Sequence, residues 1–181
     1  MPLTAYHTAR EEVVSVLDYG DPKTDLNASK IICPACRSEM HVCAPEFRVT
    51  HFRHNPGASC ERGGESIAHL VAKMDIARVL RSNSDCRKVW LERSLEVGRR
   101  PDVLCRYSGG QFVAHEIQLS EVSKNEIRQR TADYWGEGIA VHWWFGEDIP
   151  GSLIEWTVRA IGGCSQLSFG MHTEEENELD R

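Results

Sequence analysis

The stretch RRPDVLCRYSGGQFVAHEIQLS, residues 99–120, decides the fold. Two runs that are typical of β-strands flank the turn sequence Ser-Gly-Gly at 108–110, and together they predict a hairpin. Each run carries one acid, Asp102 and Glu116, and the hairpin would bring the two acids side by side. Neighbouring carboxylates repel one another and are costly to desolvate unless a cation lies between them. The stretch therefore predicts a divalent metal site on a pair of strands.

The second strand of this hairpin carries a polar face. The alternation in VAHEIQLS places Glu116 and Gln118 on the same side of the strand. Asp102 and Glu116 can each give an oxygen to Mg²⁺ or Mn²⁺, and the carbonyl of Ile117 can add another. A metal held in this way activates water and stabilises the charge that builds on a phosphodiester.

An amphipathic helix is predicted before the hairpin, in SIAHLVAKMDIARVLRS at residues 66–82. Glu65, His69 and Lys73 follow one another at spacings of four residues and share a face. If that face looks towards the acids, Lys73 supplies a positive charge and His69 orients or deprotonates water. Glu65 would then assist a metal. The alternative is an exposed helix flank with ordinary i,i+4 pairing.

A Cys/His-rich stretch, CPACRSEMHVCAPEFRVTHFRHNPGASC at residues 33–60, predicts a structural zinc site. A C-x₂-C pair offers two thiolates from one tight turn, and a metal would stabilise a module too small to bury its own core. The predicted ligands are Cys33, Cys36, His54 and Cys60, with His51 competing with His54 for the third place. A thiol redox pair at CPAC and simple buried thiols stay open as alternatives.

The remaining candidates for metal ligation lack partners at ligand spacing, and we expect them to be packing residues. They are His41, Cys43, Cys86, Cys105 and Cys164.

Composition sets the broad class. The chain has 181 residues, 41% hydrophobic residues and a net charge of −6, and it predicts one domain with a small appendage. No apolar run reaches transmembrane length and no signal peptide is evident, so we expect a cytoplasmic protein with no membrane partner. Residues 173–181 carry five acids and one Arg, whereas residues 73–106 carry nine Lys/Arg and five Asp/Glu. The second segment predicts either a basic face or an ordinary mixed-charge surface.

Further elements follow from periodicity and turn residues. Residues 10–20 and 88–97 predict strands, residues 123–135 a helix with a capping box, and residues 139–146 a buried strand. Residues 152–161 fit either a helix or a strand. The order of elements predicts a compact α/β sandwich behind a Cys/His module.

The motif RPDV followed by EIQ resembles the PD-(D/E)xK nuclease superfamily. Together with CPAC, HFRH, ESIAHLVAK and YWGEGIAVHWWF, in this order, it resembles the competence protein CoiA-like family over roughly residues 3–146. The resemblance implies a PD-(D/E)xK, restriction-endonuclease-like mixed-sheet core behind a zinc-ribbon-like N-terminal β module. It places the module at 1–62, the nuclease-like domain at 63–165 and an acidic, disordered tail at 166–181.

The same resemblance implies a Mg²⁺-dependent DNA nuclease, of endonuclease type, that acts in DNA processing or recombination with DNA and other DNA-processing proteins as partners. It marks Asp102 and Glu116 as metal ligands, and Gln118 as the position that is often Lys. His69 and Lys73 fall at the helix motif of the family. The expected nucleic-acid contacts are Arg100, Arg130 and Tyr134.

The sequence departs from the family at two points, of which the first bears on an alternative function and the second on partner recruitment and the competence role. Gln118 cannot supply the positive charge of a lysine, although Lys73 could compensate for it from the helix. The chain also largely lacks the C-terminal helical region of longer CoiA-like proteins. The alternative is a catalytically inactive, zinc-containing module that binds DNA or protein. A thiol redox protein fits only CPAC and explains none of the strands.

Overall fold

The structure, a computed structural model, describes residues 2–46, 49–60 and 65–167. It contains two five-stranded sheets. The first sheet consists of β1 (Thr4–His7), β2 (Glu12–Ser15), β3 (Ile31–Ile32), β4 (Glu39–Cys43) and β5 (His51–His54). The second consists of β6 (Cys86–Leu91), β7 (Val103–Tyr107), β8 (Phe112–Gln118), β9 (Ile139–Phe145) and β10 (Cys164–Gln166). The helices are α1 (Pro22–Asp25), α2 (Ile67–Ser82), α3 (Lys124–Gly136) and α4 (Gly151–Ala160).

The two sheets differ in topology. The first has the order β2-β1-β3-β4-β5 and is antiparallel throughout. The second has the order β10-β9-β8-β7-β6, with antiparallel pairing from β6 to β8 and parallel pairing from β8 to β10. The predicted class, a mixed α/β fold with a small N-terminal β module, is confirmed.

The predicted hairpin at residues 99–120 is confirmed as β7 and β8. Val103 pairs with His115, and the Tyr107 N–H donates to the Gln111 carbonyl at 2.9 Å where the turn closes. Gly110 has φ +86°, a backbone conformation that only glycine adopts without strain, which explains why this turn contains Gly.

Helix α2 begins after Ser66, whose hydroxyl accepts from the His69 N–H at 3.2 Å. Its buried residues include Leu70 and Met74, as the periodicity predicted. They join a single apolar core with Phe52 of the first sheet and Val103 of the second. The N-terminal module therefore packs its apolar residues against α2 and the second sheet. The boundary at residue 62 stays a prediction, and this apolar core runs across it.

The C-terminal part of the second sheet follows the predicted order and adds one strand. Helix α3 and strand β9 lie where the sequence predicted them, and the undecided segment at 152–161 forms α4. Strand β10 was not predicted, and it pairs in parallel with β9 after Gly163, where a Cβ would come within 2.8 Å of the Val141 carbonyl oxygen. Gln166, which was assigned to the tail, belongs to β10. Residues 168–181 lie outside the described residues.

The structure contains a disulfide that the sequence did not predict. The expectation that Cys86 and Cys105 are unpaired packing residues is wrong, because a disulfide joins them across β6 and β7. Sequence spacing could not show this, since the pairing depends on the register of the two strands. Among the described residues, no helix combines the length and the apolar character that crossing a bilayer requires.

Candidate functional site

The two acids of the hairpin lie at the same end of the second sheet. The pairing of Val103 with His115 brings Asp102, one residue before β7, next to Glu116 of β8. The backbone N–H of Ile117 donates to Asp102 Oδ2 at 2.9 Å, which fixes this carboxylate against the β8 backbone. From this shared position the acids make different contacts: Asp102 contacts side chains of α2, whereas Glu116 contacts side chains of α3.

The helix face predicted from the four-residue spacing does turn towards Asp102. His69 lies between two carboxylates, with its Nδ1 3.3 Å from Glu65 Oε1 and its Nε2 3.0 Å from Asp102 Oδ2. Lys73 Nζ lies 3.5 Å from Asp102 Oδ1 and also pairs with Glu65. The alternative of an exposed helix flank is therefore wrong, because this face of α2 packs against the end of β7.

Lys73 is almost fully buried, with 1% of its surface exposed, and its charge is balanced by carboxylates. Its nearest partner at a normal hydrogen-bond length is Glu92, whose Oε1 lies 2.7 Å from Nζ. Burial lowers the pKa of Lys73, but the charges of Glu92, Asp102 and Glu65 outweigh burial and raise the pKa above its ordinary value. Lys73 is thus a fixed positive charge at neutral pH rather than a proton acceptor.

Glu92 is the functional residue that sequence reasoning missed. It follows β6 with φ +50°, a conformation that is costly for a non-glycine residue, and it turns its carboxylate towards α2 and the first sheet. There it accepts from the Thr4 hydroxyl at 2.8 Å and lies 3.5 Å from Arg100. Burial raises the pKa of Glu92, but Lys73 more than offsets burial and holds the pKa below its usual range. No signal in the sequence marked it, because Glu92 lies inside the run at residues 88–97 that predicted a single strand, whereas the structure ends β6 at Leu91.

Asp102 is held ionised in the same way. Burial raises its pKa, but the hydrogen bond with His69 and the charge of Lys73 outweigh that effect and lower the pKa below its usual range. An anionic carboxylate at neutral pH is the form that a hard cation binds.

Glu116 is buried and engaged by two side chains of α3. Arg130 pairs with its Oε2, and the Tyr134 hydroxyl donates to its Oε1. Burial raises the pKa of Glu116 to about 7, against the lowering effect of Arg130 and with a further increase from Asp102. Tyr134 is 1% exposed, so the structure places it against Glu116 and away from solvent. Arg130 stacks over the ring of Trp143 at 4.8 Å.

The other two predicted site residues make local contacts. The Gln118 amide donates to the Ser120 carbonyl at 2.8 Å, so it is turned along its own strand end. Arg100 is half-buried, and its Nη1, 3.5 Å from Glu92, has no hydrogen-bond partner in the described part of the chain.

Three side chains at this site can hold one metal ion together. Glu65, His69 and Asp102 each offer one ligand atom, and these atoms all lie within 4.8 Å of one another. Ligands at about 2.1 Å from an octahedral ion lie about 3 to 4 Å apart, so a small contraction would suit them to one divalent ion. Two carboxylates and one imidazole suit Mn²⁺ as well as Mg²⁺, because imidazole favours transition metals. Glu116 is outside this group in the described structure.

The Cys/His stretch forms a second group with the predicted members. Ligand atoms of Cys33, Cys36, His54 and Cys60 lie within 4.8 Å of one another, and Cys36 Sγ is 3.3 Å from His54 Nε2. The Arg37 N–H donates to the Cys33 carbonyl at 3.0 Å, which forms the tight turn between the first two cysteines. Hydrogen bonds from Ser38 lower the pKa of Cys36 to about 6, which favours the thiolate that metals bind.

The two histidines of HFRH both lie on β5 but make different contacts. His54 lies at the end of β5 and joins the group, whereas the ring of His51 contacts the Val49 carbonyl at 2.8 Å. The four-member group can hold a tetrahedral zinc ion.

Comparison with known families identifies the domain that carries the acidic site. Residues 65–152 match the model of the competence protein CoiA nuclease-like domain. This segment belongs to that family. The match begins at Glu65 and takes in all three members of the metal-binding group, together with Lys73 and Glu116. Comparison with curated proteins finds no significant match.

Two solved structures show distant similarity to the chain that carries the CoiA nuclease-like domain. One is a repair endonuclease from Pyrococcus abyssi, 11% identical, with 77% of each chain covered and a TM-score of 0.40. The other is EndoMS in complex with double-stranded DNA, 13% identical, with 61% of this chain and 49% of that chain covered and a TM-score of 0.38. The family assignment depends on the sequence match alone.

Proposed function

We propose that the protein is a metal-dependent nuclease of the PD-(D/E)xK type that hydrolyses phosphodiester bonds in DNA, by internal cleavage. The observation that carries the proposal is the group of Glu65, His69 and Asp102 beside the buried cation Lys73, within a CoiA nuclease-like domain. A cluster of acids alone is common on protein surfaces. A cluster of acids that also contains an imidazole and a buried lysine is a stronger indication of a site for a charged substrate than acids alone.

Each residue of the group has a role in holding the ion. Glu65 and Asp102 supply anionic oxygens, and His69 supplies a ring nitrogen between them. A divalent ion bound there would lower the pKa of a water molecule and offset charge on the scissile phosphate. In an alternative role, His69 would act as a general base that accepts the proton of the attacking water, and the two carboxylates would orient its ring.

Lys73 provides the positive charge that Gln118 cannot. Its ammonium group is held within 3.5 Å of Asp102 by Glu92, so a phosphate that shared the metal ion with Asp102 would lie near a fixed positive charge. Preorganised charges of this kind stabilise a transition state more than mobile ones do. Gln118 would remain a neutral hydrogen-bond donor at the end of β8.

Glu116 enters the proposal as a second acid that becomes a ligand when substrate binds. In the structure Arg130 forms an ion pair with Glu116. A bound phosphate could compete for Arg130, because guanidinium groups bind phosphate through two parallel hydrogen bonds, in bidentate geometry. Arg130 would then be a phosphate contact, and Glu116 would be free to share the ion with Asp102. Tyr134 would position Glu116, and Arg100 would support the same site through Glu92.

The Cys33, Cys36, His54 and Cys60 group holds a structural Zn²⁺ in this proposal. Among the described residues, the first sheet buries its apolar side chains in the core shared with α2. A metal that holds β5 to the CPAC turn would therefore stabilise the module that supports Glu92.

A second candidate function is an inactive module that binds DNA. The engagement of Glu116 by Arg130 and Tyr134, together with Gln118 in place of a lysine, favours it. The two candidates differ in whether phosphodiester bonds break.

Incubation of supercoiled plasmid with the protein and Mg²⁺ or Mn²⁺ tests the proposal. Wild type should nick the plasmid, and Asp102→Asn should reduce the rate by at least 100-fold, as loss of a transition-state interaction of about 3 kcal/mol predicts. Glu96→Gln, an exposed acid in the turn after β6, serves as the matched control and should keep the full rate. Equal cleavage by Asp102→Asn and wild type would overturn this site. No cleavage of any DNA form, with binding intact, would favour the inactive module.

A further inference from the structure

One face of the β6–β7–β8 ladder carries an exposed cluster of cations and aromatic rings that the site does not use. We name it the cationic-aromatic surface, and it consists of Lys88, Trp90, Arg93, Arg106 and Phe112. The cations are exposed and the rings are half-buried. The rings pack against the edge of the second apolar core, so the cluster has a rigid base.

The rings hold the cations in place. The Arg93 guanidinium lies 4.5 Å and the Lys88 ammonium 5.1 Å from the centre of the Trp90 ring. Trp90 stacks with Phe112 at 6.2 Å, and Arg106 lies 5.8 Å from the Phe112 ring. Cation–π contacts of this kind fix a flexible side chain without neutralising its charge.

In the part of the chain that the structure describes, these cations lack the acidic partners that other basic residues have. Arg81 pairs with Asp18 at 2.8 Å and Arg99 with Asp133 at 2.6 Å. Within the described ranges, Lys88, Arg93 and Arg106 form no ion pair with a carboxylate. Although the protein has a net charge of −6, these ordered cations form no ion pair with a described acid and would attract an anion locally.

The surface lies on the face of the second sheet that packs against α3, opposite the face that packs against α2, and it approaches the metal-binding group at the end of β7 that carries Asp102. Lys88 pairs with Arg106 and Trp90 with Leu104, and Asp102 lies two residues further along the same strand direction. Two residues of a strand span about 7 Å and neighbouring strands lie about 5 Å apart, so the backbone of Trp90 is about 7 Å from that of Asp102 along the strand and one strand spacing across the sheet. Strand β6 is an edge strand in the described sheet. A cleft of about 520 Å³ between β6 and β2 is lined by Lys88, Trp90 and Arg93, and also by the acids Asp18 and Glu92 and the ion-paired Arg81.

We propose that the cationic-aromatic surface binds the phosphate backbone of the nucleic acid strand that enters the site. This inference deepens the proposed function and rests on it. Both Lys88 and Arg93 lie over Trp90, so the ring supports cations rather than stacking with bases. The guanidinium edge of Arg93 is left free for phosphate oxygens, which it suits by its planar geometry. Binding here is therefore independent of base sequence.

The test compares two double variants that each remove two positive charges. Lys88→Gln with Arg93→Gln removes the surface, whereas Lys23→Gln with Arg53→Gln removes exposed cations of α1 and of β5, the strand at the far edge of the first sheet from β2. Both are built on Asp102→Asn and measured without added divalent metal or chelator, so that the DNA stays intact and the Cys/His group is undisturbed. Fluorescence anisotropy with a labelled duplex gives Kd between 50 and 300 mM salt.

The surface variant should weaken binding by roughly 10-fold to 60-fold at 0.1 M salt and reduce the salt slope by about 2, because each lost phosphate contact reduces it by about 0.9. The control variant should change Kd by less than about 2-fold. Equal effects of the two variants, an unchanged salt slope, or preferential binding of polyglutamate over DNA would overturn the inference. If wild type binds DNA through this surface but cleaves nothing, the proposed function fails and the surface stands. If wild type cleaves and the surface variant binds normally, only the surface fails.

Discussion

The buried pair of Lys73 and Glu92 is the strongest structural support of the site, and removing it has a calculable effect. Glu92→Gln keeps the shape of the side chain and its hydrogen bond to Thr4 but removes the charge that faces Lys73 at 2.7 Å. Lys73 would then rely on Glu65 and on Asp102, which is 3.5 Å away. The ammonium group would lose its most deeply buried carboxylate partner.

The magnitude follows from the burial of both groups. Breaking a buried pair by removing one partner costs about 3 to 5 kcal/mol, and the remaining acids around Lys73 place the expected loss at the lower end, about 3 kcal/mol. For a chain of this size that loss lowers Tm by roughly 6 to 12 °C. Glu96→Gln removes the same charge from an exposed position and should change the free energy of unfolding by less than about 0.5 kcal/mol.

A double-mutant cycle separates this pair from general damage. Urea unfolding is measured for wild type, Glu92→Gln, Lys73→Met and the double variant. Lys73→Met should cost as much as Glu92→Gln or more, and the double variant should be less destabilised than the sum of the two by about 2 kcal/mol. Purely additive losses would refute the interpretation of Lys73 and Glu92 as one interacting unit.

Three further predictions concern the metals and the histidines. His69→Ala should weaken Mn²⁺ binding at least 10-fold by calorimetry while Mg²⁺ binding changes less, because imidazole favours the transition metal; equal losses would contradict a ligand role. Elemental analysis should find one zinc per chain in wild type and little in Cys36→Ser. The Tm of Cys36→Ser should be lower than that of wild type by at least 10 °C, because structural zinc contributes directly to folding. An unchanged zinc content in Cys36→Ser would exclude this cluster as the zinc site. His142 lies next to His115 and is hydrogen-bonded to Ser165, and burial lowers its pKa, so near pH 6 the folded state binds fewer protons than the unfolded chain. The free energy of unfolding should therefore fall as the pH drops below about 6.5, and it should fall less in His142→Asn. Urea unfolding at pH 7 and at pH 5 measures both.

Local signals predicted the elements that local chemistry determines. The turn at 108–110, the four-residue spacing on α2 and the tight turn of the C-x₂-C motif each depend on residues close in sequence. The structure contains the hairpin, the shared helix face and the turn from Cys33, and zinc binding there stays a prediction. Helix periodicity placed Glu65, His69 and Lys73 on one face but left open what that face contacts, and tertiary packing turned it towards Asp102.

Tertiary contacts determined what the sequence did not reveal. Glu92 turns inwards only because its backbone takes a left-handed conformation beside α2 and Thr4. Glu116 was expected to share an ion with Asp102, and no local pattern indicated that Arg130 and Tyr134 of the following helix would engage it. The register of β6 and β7, which brings Cys86 to Cys105, and the addition of β10 are likewise set by packing between distant parts of the chain.

Crystals soaked in Mn²⁺ and measured at the manganese absorption edge would test the central claim most directly. The account predicts one anomalous peak at the end of β7, within about 2.5 Å of a Glu65 oxygen, a His69 nitrogen and an Asp102 oxygen. Soaking with a short DNA duplex should bring a Glu116 oxygen into the same shell. A peak that leaves out both His69 and Glu65, or no peak near Asp102 at saturating Mn²⁺, would contradict it.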